Sequence, residues 1–241
     1  MIALTFDTDY LSKDDLQRFV EEFPLPGRAT FFLWRPEPGI DLGGHEIGIH
    51  PFFEDRAPWR ETLARFLERQ GGAPTSIRPH SCAYSHMLGI ELVKLGFTTV
   101  SQATYLYKTG LEPYRHPWGL WELPIYYMES MDFTFSHNWP AFEHEPFASS
   151  VIEQSLTSDG LFVYDFHPLH VICNTSSYPQ YQSIREDIVR GRKSPFDVRL
   201  PGRGARTFYL ELLERMGQAG VESTSCSEAP SLRQIESALG C

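Results

Sequence analysis

Two carboxylates stand two residues apart in Thr5-Phe6-Asp7-Thr8-Asp9, directly after the apolar run Ile2-Ala3-Leu4. If the strand this run predicts stays regular, both acids project to one face. Like charges at that spacing repel unless a cation lies between them or one carboxyl holds a proton. Taken alone, the pattern fits a metal site or a pair of turn and capping residues. It recurs, however. His45-Glu46-Ile47-Gly48-Ile49-His50-Pro51 is a short strand ending in histidine, a frequent metal ligand. Ser76-Ile77-Arg78-Pro79-His80 puts an arginine and a histidine two apart at another strand end. Val163-Tyr164-Asp165-Phe166-His167-Pro168-Leu169-His170 closes a further run on two histidines. Core packing requires none of these groups, and their common place at strand ends argues for one site.

The elements that must position them alternate in type. Ser12 to Phe23 reads as a helix with a serine cap, and Thr30 to Leu33 and Glu46 to Ile49 as strands. Leu63, Phe66 and Leu67 form an apolar helix stripe, as do Leu88, Leu92 and Leu95 before the stop at Gly96. Phe97 to Ser101 and Gly160 to Phe166 read as strands, and Tyr209, Leu212, Leu213 and Met216 as another stripe. Val221 to Thr224 is expected as a short final strand. Such alternation implies parallel pairing with helices outside, in a barrel-like sheet. In parallel α/β folds the C-terminal strand ends are where sites assemble.

Two stretches break the alternation. Residues 103–147 carry Tyr105, Tyr107, Trp118, Trp121, Tyr126, Tyr127 and Trp139 and are expected as an irregular insertion. It either covers the core or forms an aromatic wall of a substrate site. Residues 190–206 hold Arg190, Arg192, Lys193, Arg199, Arg203 and Arg206. They read as a solvated loop or as an anion clamp for a phosphate.

The 241 residues predict one domain over 1–241, and a net charge of −10 argues against sequence-independent nucleic-acid binding. No cationic leader or membrane-length apolar run is present, so a cytoplasmic protein with no membrane span is expected. Cys82, Cys173, Cys226 and Cys241 are scattered, without metal-ribbon spacing, and are expected as reduced thiols.

In combination these residues resemble the polysaccharide deacetylases, the NodB-like carbohydrate esterases. Positions 5 to 9 resemble the family's first motif in its Asp-x-Asp form. Glu46-Ile47-Gly48-Ile49-His50 matches the second motif fully, Arg78-Pro79-His80 resembles the third, and the run ending in His167 the last. The motifs keep family order from residue 5 to 170. The branch found in bacterial O-antigen and related surface-polysaccharide loci is most similar. It shares His50-Pro51, Arg78-x-His80-Ser81 and Asp165-Phe166-His167-Pro168-x-His170 followed by Asn174-Thr175.

The resemblance implies an α/β fold, a distorted (β/α) barrel of six or seven parallel strands in a single domain. It implies a metal-dependent hydrolase that removes acetyl from an N-acetylated sugar, a precursor in surface polysaccharide or O-antigen biosynthesis. Asp9 and His50 would hold a divalent metal, best Zn²⁺, with Co²⁺, Ni²⁺ or Mn²⁺ as alternatives. Where the main family has a further histidine, this chain has Glu54. His80 is therefore expected as third ligand and Glu54 as runner-up. Asp7 would be general base, paired with Arg78, and His167 general acid. His170 and Trp121 are expected at the substrate, whose sugar could be phosphate- or nucleotide-linked. Two alternatives stand beside this reading: hydrolysis of a non-sugar amide or imide, and a non-catalytic sugar-binding protein of the same fold.

Overall fold

The computed structural model describes residues 1–53, 58–138 and 144–239, and the side chains of these except 136–138 and 235–239. The first half runs β1 (Ile2–Asp7), α1 (Lys13–Glu22), β2 (Ala29–Leu33), β3 (Glu46–Ile49), α2 (Trp59–Gln70) and β4 (Ser76–Ile77). It continues through α3 (His86–Lys94), β5 (Thr99–Val100), β6 (Tyr114–Arg115), β7 (Trp121–Glu122) and β8 (Ile125–Met128). There follow α4 (Glu129–Asn138), α5 (Ser149–Thr157), β9 (Phe162–Phe166), α6 (Pro168–Cys173), α7 (Tyr178–Val189), α8 (Ala205–Ala219) and α9 (Ala229–Leu239).

Among the described residues nine strands form one sheet, in the order β6-β7-β5-β4-β3-β2-β1-β9-β8. Every pairing is parallel except β6 on β7. Only Leu123-Pro124 separates β7 from β8, because proline has no N–H to give to a ladder. The pairing otherwise runs on: Leu123 N–H donates to Val100 O and Ile125 N–H to Ala103 O. Tyr105 and Tyr107 then donate to the carbonyls of Ile125 and Tyr126. The extension of β5 thus meets β8, whose other edge holds β9, and the sheet curls into a barrel. The count exceeds the expected six or seven because Pro124 splits one bent strand in two and β6 is an antiparallel addition at the rim.

Alternation along β1 sorts its side chains. Ile2, Leu4 and Phe6 pack in the large outer core with Leu16 and Phe19 of α1 and Phe208, Tyr209 and Leu212 of α8. Ala3 instead belongs to an inner cluster with Phe32, Ile125, Val163 and Ala229. The helix stripes predicted from sequence face the core, with Leu67 and Leu213 half-buried at its edge and Leu95 exposed beyond the end of α3.

Two expectations need correction, and a choice left open between two readings narrows. Residues 103–147 are no irregular insertion: they supply β6, β7, β8 and α4, and β8 is paired as a barrel strand. Val221 to Thr224 makes no strand; Ser223 only bridges Ile2 and Gly27. The cations of 190–206 are largely committed to the chain's own acids. Arg190 pairs with Glu186, Arg192 and Lys193 with Asp187, and Arg203 with Glu211. That leaves little of the loop free to clamp a phosphate. Among the described residues no helix is long and apolar enough to cross a membrane, and Cys82, Cys173 and Cys226 are free thiols.

Gly48 in the second-motif strand has a packing reason. A Cβ there would lie 2.5 Å from Phe32 Cδ1 and 2.9 Å from Ser76 O. Phe32 in turn lies under the Arg78 guanidinium, 4.5 Å away. Gly48→Ala is expected to cost about 1–3 kcal/mol, the usual range for overpacking. A urea midpoint equal to that of the unsubstituted protein would show instead that Phe32 yields without strain.

Candidate active site

β1 ends in Asp7, and Asp9 follows two residues beyond; both are buried. β3 delivers His50, whose N–H donates to Leu33 O. Its Nδ1 lies 2.7 Å from Arg78 O. A carbonyl only accepts, so Nδ1 carries the proton and Nε2 presents a lone pair. That Nε2 lies 3.6 Å from Asp9 Oδ1, and His80 Nε2 lies 3.7 Å from Asp9 Oδ2. Phe52 fixes His80 by stacking at 3.7 Å between ring centroids.

Asp9, His50 and His80 each offer one donor atom, all within 4.8 Å of one another. Asp9 Oδ1 and His50 Nε2 are buried without a hydrogen-bond partner. An unpaired buried polar atom costs about 1–3 kcal/mol, so two that face each other call for a shared partner. One carboxylate oxygen and two imidazole nitrogens fit a divalent metal of the zinc type. Burial lowers the pKa of His50 to about 4, keeping it neutral as coordination requires. Burial raises Asp9 to about 7, against the pull of His167, which a cation would reverse. Glu54, the other candidate third ligand, lies outside the described residues.

A second unit fills the barrel interior. Arg78 is fully buried, and one of its nitrogens, Nη1, donates to Asp7 Oδ1 at 3.0 Å and to Asp165 Oδ1 at 2.6 Å. Nε and Nη2 donate to the carbonyl and hydroxyl of Ser101. Burial would raise Asp7, but His50, Arg78 and His167 together hold it below the ordinary carboxylate range. Burial pushes Asp165 well up in spite of Arg78. Two carboxylates thus share one guanidinium, and the one at the cleft keeps its charge.

The third unit is a histidine and a glutamate. His167 Nδ1 lies 2.8 Å from Glu129 Oε1, and its backbone N–H donates to the same oxygen at 2.9 Å. Nδ1 therefore carries a proton toward Glu129, and Nε2 faces the cleft, 3.8 Å from Asp9 Oδ2. Burial opposes charge on His167, but Glu129 outweighs it and raises its pKa well above the ordinary value. His170 packs behind this ring at 5.3 Å and is held neutral by burial and by His167. Glu129, His167 and His170 are also close enough to share an ion. Glu129 already engages His167 Nδ1, which leaves the Asp9 trio as the better cradle.

Two adjoining hollows of about 180 and 440 Å³ meet at His80, Ser130 and His167. The larger falls within the roughly 300–1,000 Å³ usual for small-ligand sites. Asp7, His50, Thr104, Met128 and Met131 line it; Asp9, Tyr10, Phe133, His170, Tyr178 and Tyr181 line the other. Asp7, Asp9, His50, Arg78, His80, His167 and His170 therefore come together as the sequence suggested.

Trp121 does not join them. It opens the bent β7–β8 strand, opposite the end that faces the site, and packs beside the inner cluster. Among the described aromatics of 103–147, Phe133 lines the smaller hollow, but the tyrosines and tryptophans singled out from sequence line neither. Tyr126 and Tyr127 are core residues, and Trp118 stacks on His116; Trp139 lies outside the described residues. Residues missed from sequence are Glu129, Phe52 and Tyr181, together with the part played by Asp165. Glu129 had a readable signal: Ile125-Tyr126-Tyr127-Met128-Glu129 is an apolar strand ending in an acid, as β1 is.

The profile of the WbmS-like polysaccharide deacetylase family matches residues 4–185. Among solved structures, a candidate polysaccharide deacetylase involved in O-antigen biosynthesis, WbmS from Bordetella bronchiseptica, is 26% identical with a TM-score of 0.68. That match covers 89% of this chain and 90% of the other. A candidate polysaccharide deacetylase from Mycobacterium smegmatis is 17% identical over 92% of both chains, TM-score 0.43. A peptidoglycan N-acetylglucosamine deacetylase is 14% identical over 95% of this chain and 86% of that one, TM-score 0.47. The curated proteins contain no match to this sequence.

Proposed function

The chain belongs to the WbmS-like polysaccharide deacetylases, hydrolases of carbon–nitrogen bonds, and we propose that it deacetylates an N-acetylated sugar of O-antigen or related surface-polysaccharide assembly. The observation that carries this is two oppositely poised groups on one hollow. Asp7 is held ionised by Arg78, and His167 is held protonated by Glu129, with the Asp9, His50 and His80 donors beside them. Amide hydrolysis needs both a base and an acid, because an amine anion is a poor leaving group.

When bound, a divalent cation supplies a Lewis acid and lowers the pKa of water to roughly 7. Asp7 receives the proton of the attacking water on Oδ2, since Oδ1 is engaged by Arg78. His167 gives its Nε2 proton to the departing nitrogen while Glu129 holds the other N–H. Each proton transfer contributes typically about 10²–10⁴-fold.

The direct test is acetate release from a panel of N-acetylated sugars by zinc-loaded protein, before and after chelation. Turnover of small imides with no acetate from any sugar would reject the reading. A narrower expectation concerns Glu129, a positioning residue. Glu129→Gln keeps an oxygen for His167 but removes the charge that favours imidazolium. We expect kcat for an N-acetyl substrate to fall about 10–100-fold at nearly unchanged KM, the lower part of the range for general acid catalysis. Hydrolysis of 4-nitrophenyl acetate, whose leaving group needs no proton, should fall far less. Equal losses on both substrates would mean that Glu129 serves only structure.

A further inference from the structure

We propose that Arg185, seated on Tyr10, forms a subsite for an anionic group on the acetylated sugar, a carboxylate or a phosphate; this rests on the deacetylase reading of the adjoining hollow. Tyr178, Tyr181 and Arg185 follow the i, i+3, i+7 spacing of one helix face on α7. The two tyrosines line the hollow with Asp9 and Tyr10. Arg185 is the next group along that face. Its Nη2 donates to Tyr10 Oη at 3.0 Å, and its guanidinium lies 5.1 Å over the Tyr10 ring.

The acids next to Arg185 on α7 are engaged elsewhere. Glu186 and Asp187, its neighbours in sequence, pair with Arg190, Arg192 and Lys193. Among the described residues no carboxylate pairs with Arg185, and its side chain is exposed. Its platform is held firmly. Tyr10 has a left-handed backbone, φ +64°, and its ring also meets Trp34 at 5.8 Å. A non-glycine residue in that region costs of order 1–3 kcal/mol and persists only where its surroundings impose it. With its oxygen accepting from Arg185, the Tyr10 hydroxyl proton is free to donate outward. A planar guanidinium and a hydroxyl side by side suit a two-oxygen anion. In a chain of net charge −10, a cation bonded to Tyr10, which lines the hollow, also offsets repulsion of an anionic substrate.

The two sources of such an anion are a uronic acid carboxylate on the sugar itself and a phosphate joining it to a carrier. The test compares kcat/KM for N-acetylglucosaminuronic acid, N-acetylglucosamine 1-phosphate and methyl N-acetylglucosaminide, in the unsubstituted protein and in Arg185→Gln. The anionic-to-neutral ratio should fall about 10–100-fold, mostly through KM, as for loss of one charge-assisted hydrogen bond. Arg185→Lys should recover part of it, and the anion that loses more identifies the source. An unchanged ratio overturns the subsite and leaves the deacetylase reading intact. If no sugar is turned over, titration calorimetry with glucuronate and with inorganic phosphate separates the two ideas. Binding that Arg185→Gln abolishes upholds the subsite without the deacetylase reading, and binding equal in both proteins overturns the subsite.

Discussion

Asp9→Ala is expected to lose stoichiometric metal and to lower kcat/KM for deacetylation by about 10³-fold or more. The figure follows from a Lewis acid worth several kcal/mol, with each 1.36 kcal/mol a factor of ten in rate. Asp9 is the common member of the trio, facing His50 with one oxygen and His80 with the other. His50→Ala should behave alike, since it removes the buried donor that Arg78 O orients. His80 is one-third exposed at its side chain, and His80→Ala should weaken metal binding by less than either. Folding and metal loss can be told apart. Without a cation, Asp9 Oδ1 and His50 Nε2 are unpaired in the interior, so removing Asp9 relieves a cost. Metal-free Asp9→Ala should therefore unfold at or above the temperature of the metal-free parent. Metal content unchanged in both Asp9→Ala and His50→Ala would sink the assignment.

The strands and their order of chemistry were legible because β1, β3 and β9 each join an apolar run to a polar end, and burial on both faces of a parallel sheet demands such runs. β7 and β8 were not, because Pro124 interrupts the run and the aromatics of Tyr126 and Tyr127 look like a ligand wall. They are core residues: Tyr127 stacks on Phe208 of α8 at 4.7 Å between centroids. Missing that strand also hid Glu129 at its end. His80 was legible as a candidate ligand because it stands two residues beyond Arg78 at the same strand end; its stacking on Phe52 was not. Arg185 was not, since helix phase alone gives no distance to Tyr10, 175 positions earlier in the chain.

Arg78 bears on both stability and chemistry, and Arg78→Met should affect both. The guanidinium is fully buried and is held by four hydrogen bonds, to Asp7, Asp165 and Ser101, with the Phe32 ring stacked beneath it. Methionine fills much of the stem's volume but strands two carboxylates in the interior. Removing one partner of a buried pair typically costs about 3–5 kcal/mol, a large share of the roughly 5–15 kcal/mol that holds a domain folded. Where Arg78→Met remains folded, Asp7 loses the cation that keeps it ionised, and kcat should fall with it. Adding Asp165→Asn replaces one of the two stranded acids with an amide that cannot ionise. The double variant should regain stability relative to Arg78→Met, although Asp165→Asn alone weakens a 2.6 Å bond to the guanidinium. Its kcat should stay low, because nothing in the double variant restores a cation beside Asp7. Urea denaturation of the four proteins measures the coupling. Additive effects, or a cost for Arg78→Met below about 1 kcal/mol, would show that the shared guanidinium does not hold the two acids together.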